Sequence, residues 1–148
     1  MKTLVISCLN VGKIHNWVIP QKAQGFILNY YAQIKNLKIG LNVSEELFFN
    51  NFKSLQEACL LYKKNNIKII FCSRLQLIDV KNKKKFISFY KRFEIHFALE
   101  MESGKGRKFL NNTFITNKRF ISEKTINLNK FKNYNEIYEY YKNDFLVR

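Results

Sequence analysis

The stretch Ile67-Lys68-Ile69-Ile70-Phe71-Cys72-Ser73-Arg74-Leu75-Gln76-Leu77 constrains the fold more than any other. Its first half is a short run of β-branched and aromatic residues. Such a run reads as a strand buried on both faces, the usual centre of a parallel sheet. The run then breaks into Ser73, Arg74 and Gln76. In open α/β sheets ligands gather just beyond the carboxyl ends of such strands, so these polar residues stand where a site would stand.

The rest of the chain supplies partners for that strand. Residues 3–9 read as a first strand, left by the turn Asn10-Val11-Gly12-Lys13, with an irregular polar segment up to Trp17. Pro20 suits a first helical turn, where its missing N–H costs nothing. Beyond it Ala23, Phe26, Ile27, Tyr30, Ile34 and Leu37 recur at three- and four-residue steps and predict one helical stripe. Residues 37–43 alternate as a second strand, with Ser44-Glu45-Glu46 at its carboxyl end. Residues 50–66 form a second helix with Phe52, Leu55, Ala58, Cys59 and Tyr62 inward. After the third strand, Lys81-Asn82-Lys83-Lys84-Lys85 leads into a helix through Phe86, Phe89, Tyr90 and Phe93. Residues 94–100 make a fourth strand, placed outermost because it alternates more, and Ser103-Gly104-Lys105-Gly106-Arg107 reads as the turn after it. The aromatic stripes, Tyr30, Phe89, Phe93, Tyr138 and Tyr141 among them, are expected in the core. From Lys108 the periodicity weakens until a last helix at about 134–145, with Ile137, Tyr138, Tyr141 and Phe145 on its apolar side.

Strands alternating with helices of this length give a parallel sheet with right-handed crossovers. The expected fold is therefore α/β: a three-layer, doubly wound sheet of about four parallel strands in the order 2-1-3-4, flavodoxin- or resolvase-like. Residues 1–102 form the α/β core domain. Residues 103–148 are a C-terminal extension ending in a helix and packed on the same domain.

Composition sets bounds on function. At 148 residues with 47% hydrophobic and 16% aromatic content, the chain suits a single packed domain and not a disordered basic protein. Cys8, Cys59 and Cys72 each fall within an apolar run and form no CxxC pair, which predicts buried reduced thiols and a cytoplasmic location. No apolar stretch approaches the ~20 residues that span a bilayer, so membrane insertion is not expected. The opening residues fit a strand better than a signal peptide. The net charge of +15 raises a nucleic-acid partner. Lys outnumbers Arg, however, and the abundant Lys, Asn, Ile, Phe and Tyr all have A/T-rich codons, which favours a solvated basic surface.

The sheet order would bring the end of the first strand and the Ser73 loop together. Six residues are expected to supply polar contacts to a ligand there: Ser7, Gln21, Gln24, Ser73, Arg74 and Gln76. Ser7 also fits a plain backbone-satisfying role, since no base for a nucleophile is identifiable. Ser73-Arg74-Leu75-Gln76 offers a hydroxyl, a cation and an amide on one turn, although turn chemistry accounts for much of it. Gln21 and Gln24 lie in a helix's opening turn, where backbone N–H groups favour anions. The groups suited to proton transfer are Glu45, His96 and Glu100, with His96 and Glu100 expected on one sheet face. A lone strand histidine is more often structural. Two isolated histidines and no paired cysteines argue against a metal site. The glycine-rich turn at 103–107 lacks the GxxxxGK[ST] spacing of a phosphate loop, so no cofactor is expected.

Several of these segments taken together resemble a family. Ile6-Ser7, Pro20-Gln21 with Gln24, Ser44-Glu45, Ser73 with Gln76-Leu77, and Glu94-x-His96-Phe97-Ala98-x-Glu100 are similar to the pattern of the sporadic carbohydrate cluster proteins. Cys8-Leu9 and Ile78 depart from it, standing where that pattern has an arginine and a proline. The resemblance implies a role in making lipopolysaccharide, capsule or another bacterial surface glycan, with a sugar, sugar phosphate or nucleotide-sugar as ligand; whether a bond is made or broken stays open. More distantly, the order of elements resembles the catalytic domain of serine recombinases. Only Arg74 remains of the arginine cluster that strand cleavage needs, which implies a shared fold without the activity. A degenerate nucleic-acid-binding domain and a non-enzymatic scaffold for glycan enzymes are the alternatives, and a homo-oligomer is compatible with each.

Overall fold

The computed structural model describes residues 1–11, 13–14, 17–45 and 52–123. In chain order the elements are β1 (Thr3–Asn10), β2 (Lys13–Ile14), β3 (Trp17–Val18), α1 (Gln21–Ile34), β4 (Ile39–Glu45), α2 (Lys53–Leu61), β5 (Asn66–Phe71), a 3₁₀ turn (Arg74–Leu77), α3 (Lys83–Tyr90), β6 (Glu94–Phe97), β7 (Glu102–Gly104) and α4 (Arg107–Glu123). The main sheet runs β4-β1-β5-β6-β7, and β2 and β3 make a separate antiparallel ribbon. β1 is parallel to β4 and β5, and β5 is parallel to β6. This is the expected α/β architecture, flavodoxin-like in three layers.

The apolar run at 67–71 takes the central place its composition predicts. Ile69, Ile70 and Phe71 are fully buried, and alternate side chains feed two cores. On one face Val5, Ile70 and Cys72 pack against Ala23, Ile27, Leu28 and Tyr31 of α1. On the other, Ile6, Cys8, Ile69 and Phe71 meet Leu55 and Cys59 of α2, Phe86 and Tyr90 of α3, and Leu110 and Phe114 of α4. A file of rings runs through this second core, with Phe71 edge-on to Phe52 at 5.5 Å and stacked on Phe97 at 5.8 Å. Each such ring contributes about 1.5–3 kcal/mol by burial, so Phe71→Ala would remove about 3–5 kcal/mol. All three cysteines are free and buried.

Three details differ from the sequence reading. First, the inner stripe of α1 runs through Ala23, Ile27, Leu28 and Tyr31, while Phe26, Tyr30 and Ile34 are 38–48% exposed. Apolar residues occupy two adjacent stripes of this helix, and periodicity cannot choose between them. Second, a fifth strand, β7, lies antiparallel to β6 where a turn was expected. The chain reverses at residues 98–101, with Met101 in the left-handed region at φ 52°. Gly104 then leaves room for the Phe109 ring, which a Cβ there would meet at 2.3 Å. Third, α4 forms where the pattern weakens. Its buried face is Leu110, Thr113, Phe114 and Asn117, two of them polar, so helical spacing is present without an apolar signal. The expected helix at 134–145 and its Tyr138 and Tyr141 lie outside the described residues, as do His15 and Glu46. Among the described residues no helix is long and apolar enough to cross a membrane.

Candidate functional site

The connections leaving β1 and β5 depart toward opposite sides of the sheet, which makes the gap beyond their carboxyl ends the topological switch point. The side chains gathered there are nearly all buried and polar. β1 ends in Asn10, which is 1% exposed. Gln24 of α1 clamps its backbone from both sides: Gln24 Oε1 accepts from Asn10 N at 2.9 Å, and Gln24 Nε2 donates to the Asn10 carbonyl at 2.7 Å and to that of Ile19. Gln24 therefore ties α1 to the strand end.

β5 ends in a reciprocal cap. Ser73 Oγ accepts from Leu75 N at 3.1 Å, and Gln76 Oε1 accepts from Ser73 N at 3.0 Å. This S-x-x-Q arrangement satisfies backbone donors at the start of the 3₁₀ turn. The other end of the Gln76 amide reaches across to β1, donating to Cys8 O at 3.2 Å and Asn10 Oδ1 at 3.1 Å. Glu100, from the turn after β6, closes the group. Its carboxylate accepts from Ser73 Oγ at 2.7 Å and Arg74 N at 2.9 Å. Arg74 Nη1 pairs with Glu102 Oε2 of β7 at 3.3 Å, and Asn117 Nδ2 of α4 donates to the Arg74 carbonyl at 2.7 Å.

Within this web three buried atoms have no hydrogen-bond partner among the described residues: Asn10 Nδ2, Arg74 Nε and Asn117 Oδ1. Buried polar atoms are nearly always paired, and each orphan costs about 1–3 kcal/mol. Two of the three are donors, one of them on a cation. Such a pair suits an oxygen-rich, anionic or hydroxylated ligand.

Of the nine residues expected at the site, the fold brings Gln24, Ser73, Arg74, Gln76 and Glu100 into this one network. Ser7 is not at the strand end. β1 continues to Asn10, and Ser7 sits mid-strand beside Asn42 of β4, to which its hydroxyl donates. Gln21 is exposed at the first position of α1 and makes none of these hydrogen bonds. Glu45, at the carboxyl end of β4, is buried and accepts from Leu55 N at 2.7 Å. It serves as the acid of the α2 N-terminus, a helix with no acidic residue in its own first turn. Burial pushes its carboxyl above the ordinary range, and the hydrogen bonds from Leu55 and Ser54 hold that rise back.

His96 and Glu100 do not share a sheet face, because β6 stops at Phe97 and Glu100 belongs to the following turn. His96 points instead into the α1 side. Tyr31 OH is 2.7 Å from its Nδ1, and Glu94 Oε2 is 2.8 Å from its Nε2. Lys68 Nζ lies 3.3 Å from the same Glu94 oxygen. Burial pushes the Tyr31 hydroxyl up to about 12, with the charge of Glu94 adding to the rise and a Ser103 hydrogen bond opposing it. Tyr31 therefore stays protonated, and its hydroxyl and the Glu94 carboxylate between them engage both ring nitrogens of His96. The hydrogen bond from His96 lowers the Glu94 pKa, burial opposes that, and Lys68 lowers it further.

Sequence reasoning did not single out Asn10, Glu102 and Asn117 at the site or Tyr31 beside His96, and Glu94 entered only through the family resemblance. Asn10 reads as a turn residue, and Asn117 sits in a stretch with no apolar pattern. The S-x-x-Q spacing of Ser73 and Gln76 was the one local signal for the cap. Among the described residues no cluster of His, Cys, Asp and Glu has the makeup of a metal site. Comparison of the chain with protein-family models, with curated proteins and with solved structures finds no match.

Proposed function

We propose that the protein binds a sugar, sugar phosphate or nucleotide-sugar at the carboxyl ends of β1 and β5, in the service of bacterial surface-carbohydrate synthesis. The observation that carries the binding reading is the pair of buried, unpartnered donors, Asn10 Nδ2 and Arg74 Nε, at the switch point of the sheet. A phosphate or vicinal hydroxyls would satisfy both, with Asn117 Oδ1 suited to accept from a hydroxyl. The glycan context rests on the motif resemblance alone. Free, buried thiols fit work in a reducing cytoplasm.

The reading is one of binding. Glu45, His96 and Glu100 are each held by structural hydrogen bonds, so a proton-transfer role would require those bonds to be exchanged. The test is a thermal-shift series with glucose, glucose 1-phosphate, UDP-glucose and inorganic phosphate, on the wild type and Arg74→Met. A ligand that binds the native state raises Tm by mass action. The expected result is a shift of about 2 °C or more with at least one phosphorylated sugar at a hundredfold excess over its Kd, lost in Arg74→Met. No shift with any compound, or the same shift in the variant, would remove the proposal.

A further inference from the structure

The approach to α3 is the densest basic run of the chain, with Lys81, Lys83, Lys84 and Lys85 around Asn82. All four lysines are exposed. The ion pairs among the described residues, Lys68–Glu94, Arg74–Glu102 and His96–Glu94, involve none of them, nor Lys53. Helix N-termini favour acidic residues, yet α3 has none in its first turn and carries Lys83, Lys84 and Lys85 there instead, while α2, whose N-terminus is met by the buried Glu45, adds Lys53. That local conflict is what a surface shaped for an anionic partner would show.

The first turn of α3 is flanked by two cavities. One, of about 250 Å³ between α2 and α3, is lined by Lys53, Lys81 and Lys85 with the amides of Gln56 and Asn82. The other, of about 180 Å³ between α3 and α4, is lined by Lys83, Lys118 and Asn117. Among the described residues neither wall contains a carboxylate. A single small anion would occupy one cavity and leave the cations across α3 unused. A chain of phosphates would engage both.

We infer that this lysine ridge, crossing α2, α3 and α4 and meeting the proposed sugar site only at Asn117, is a docking surface for the phosphate backbone of nucleic acid. Ammonium groups on flexible stems neutralise phosphates as point charges and read no sequence. Of the rings lining the larger cavity, Phe86 and Tyr90 are at least 95% buried and the half-buried Phe89 has the Arg92 guanidinium over it at 4.8 Å, so none is an open platform for stacked bases. Binding is therefore sequence-independent and governed by counterion release.

The test uses fluorescence anisotropy of a labelled 20-base-pair duplex against the full chain between 25 and 200 mM salt. The triple variant Lys81→Gln/Lys83→Gln/Lys85→Gln should bind at least tenfold more weakly at low salt. Its slope of log affinity against log salt should be shallower by roughly 2–3. Removing cations from the positive end of α3 does not endanger the helix. The control is Lys2→Gln/Lys38→Gln/Lys64→Gln, which removes the same charge from just before β1, β4 and β5, at the opposite end of the sheet. It should cost less than threefold. Equal losses in the two triples, or no binding by the wild type at 25 mM salt, would overturn the inference. So would release of the duplex by a few millimolar inorganic phosphate at constant ionic strength, since that marks a single-phosphate site.

Discussion

Two buried polar networks lie on this sheet, and they differ in whether they close. Around His96, the Tyr31 hydroxyl is hydrogen-bonded to one ring nitrogen and the other faces Glu94, which also meets Lys68. Both ring nitrogens have partners. At the ends of β1 and β5 the network is larger and joins Gln24, Asn10, Ser73, Gln76, Glu100 and Arg74, yet it leaves Asn10 Nδ2 and Arg74 Nε unpaired. A closed network has its full free energy in the folded protein alone. An open one keeps unused hydrogen-bonding capacity, and the place to look for a ligand is where that capacity points. The histidine, the more suggestive residue by type, is thus the less suggestive by geometry.

The contrast fails or sharpens first at Glu100. Its carboxylate holds the Ser73 hydroxyl and the Arg74 amide, both buried. Glu100→Ala leaves two buried donors without acceptors and should lower stability by about 2–5 kcal/mol, read by urea or thermal unfolding. A loss under about 1 kcal/mol would mean that the loop repacks and the network is not fixed. Next comes Tyr31→Phe, which removes one hydroxyl and orphans His96 Nδ1. The expected loss is about 1–2 kcal/mol, with no effect on any ligand of the β1–β5 rim. Arg74→Met should behave in the opposite sense. The guanidinium is mostly buried with its Nε unpaired, while its partner Glu102 is 41% exposed and can be hydrated. Replacing it with an apolar chain of similar length should leave Tm unchanged or raised. Stability gained where ligand binding is lost is the mark of a residue kept for function.

The parts of this molecule that burial dictates are the parts the chain announces. The run at 67–71 becomes β5, buried but for Lys68, and the alternation at 37–43 becomes β4 beside β1, because apolar period follows directly from which face meets the core. The switch-point location follows from strand order alone, and Ser73, Arg74 and Gln76 lie there. What stays hidden is polar pairing across long separations. Gln76 meets Asn10 across 66 positions and Asn117 meets Arg74 across 43, and no local spacing encodes either contact. Ser7 is misplaced by sequence for a simpler reason: a strand end is set by where hydrogen bonding stops, and β1 runs to Asn10, one residue past the expected 3–9, which leaves Ser7 three residues short of the end. α4 is missed because Thr113 and Asn117 occupy its buried face, so its inward side does not look apolar.

The smallest expected effect tests the closed network through its titration. The Glu94 pKa lies below its ordinary 4.5, chiefly through the hydrogen bond from His96. A carboxylate with a depressed folded pKa stabilises the fold above its unfolded pKa, and that contribution is lost as pH falls through the folded value. Glu94→Gln keeps a hydrogen-bonding group beside His96 Nε2 but cannot titrate. At pH 7 the wild type should therefore be the more stable of the two, by a small margin because the Glu94 side chain is 41% exposed. As pH drops from 4.5 toward 3 the unfolding midpoints should converge, since the wild type alone loses the charge. A gap that stays constant across that range would place the stabilisation in packing, and the His96 network would then be closed by shape and not by charge.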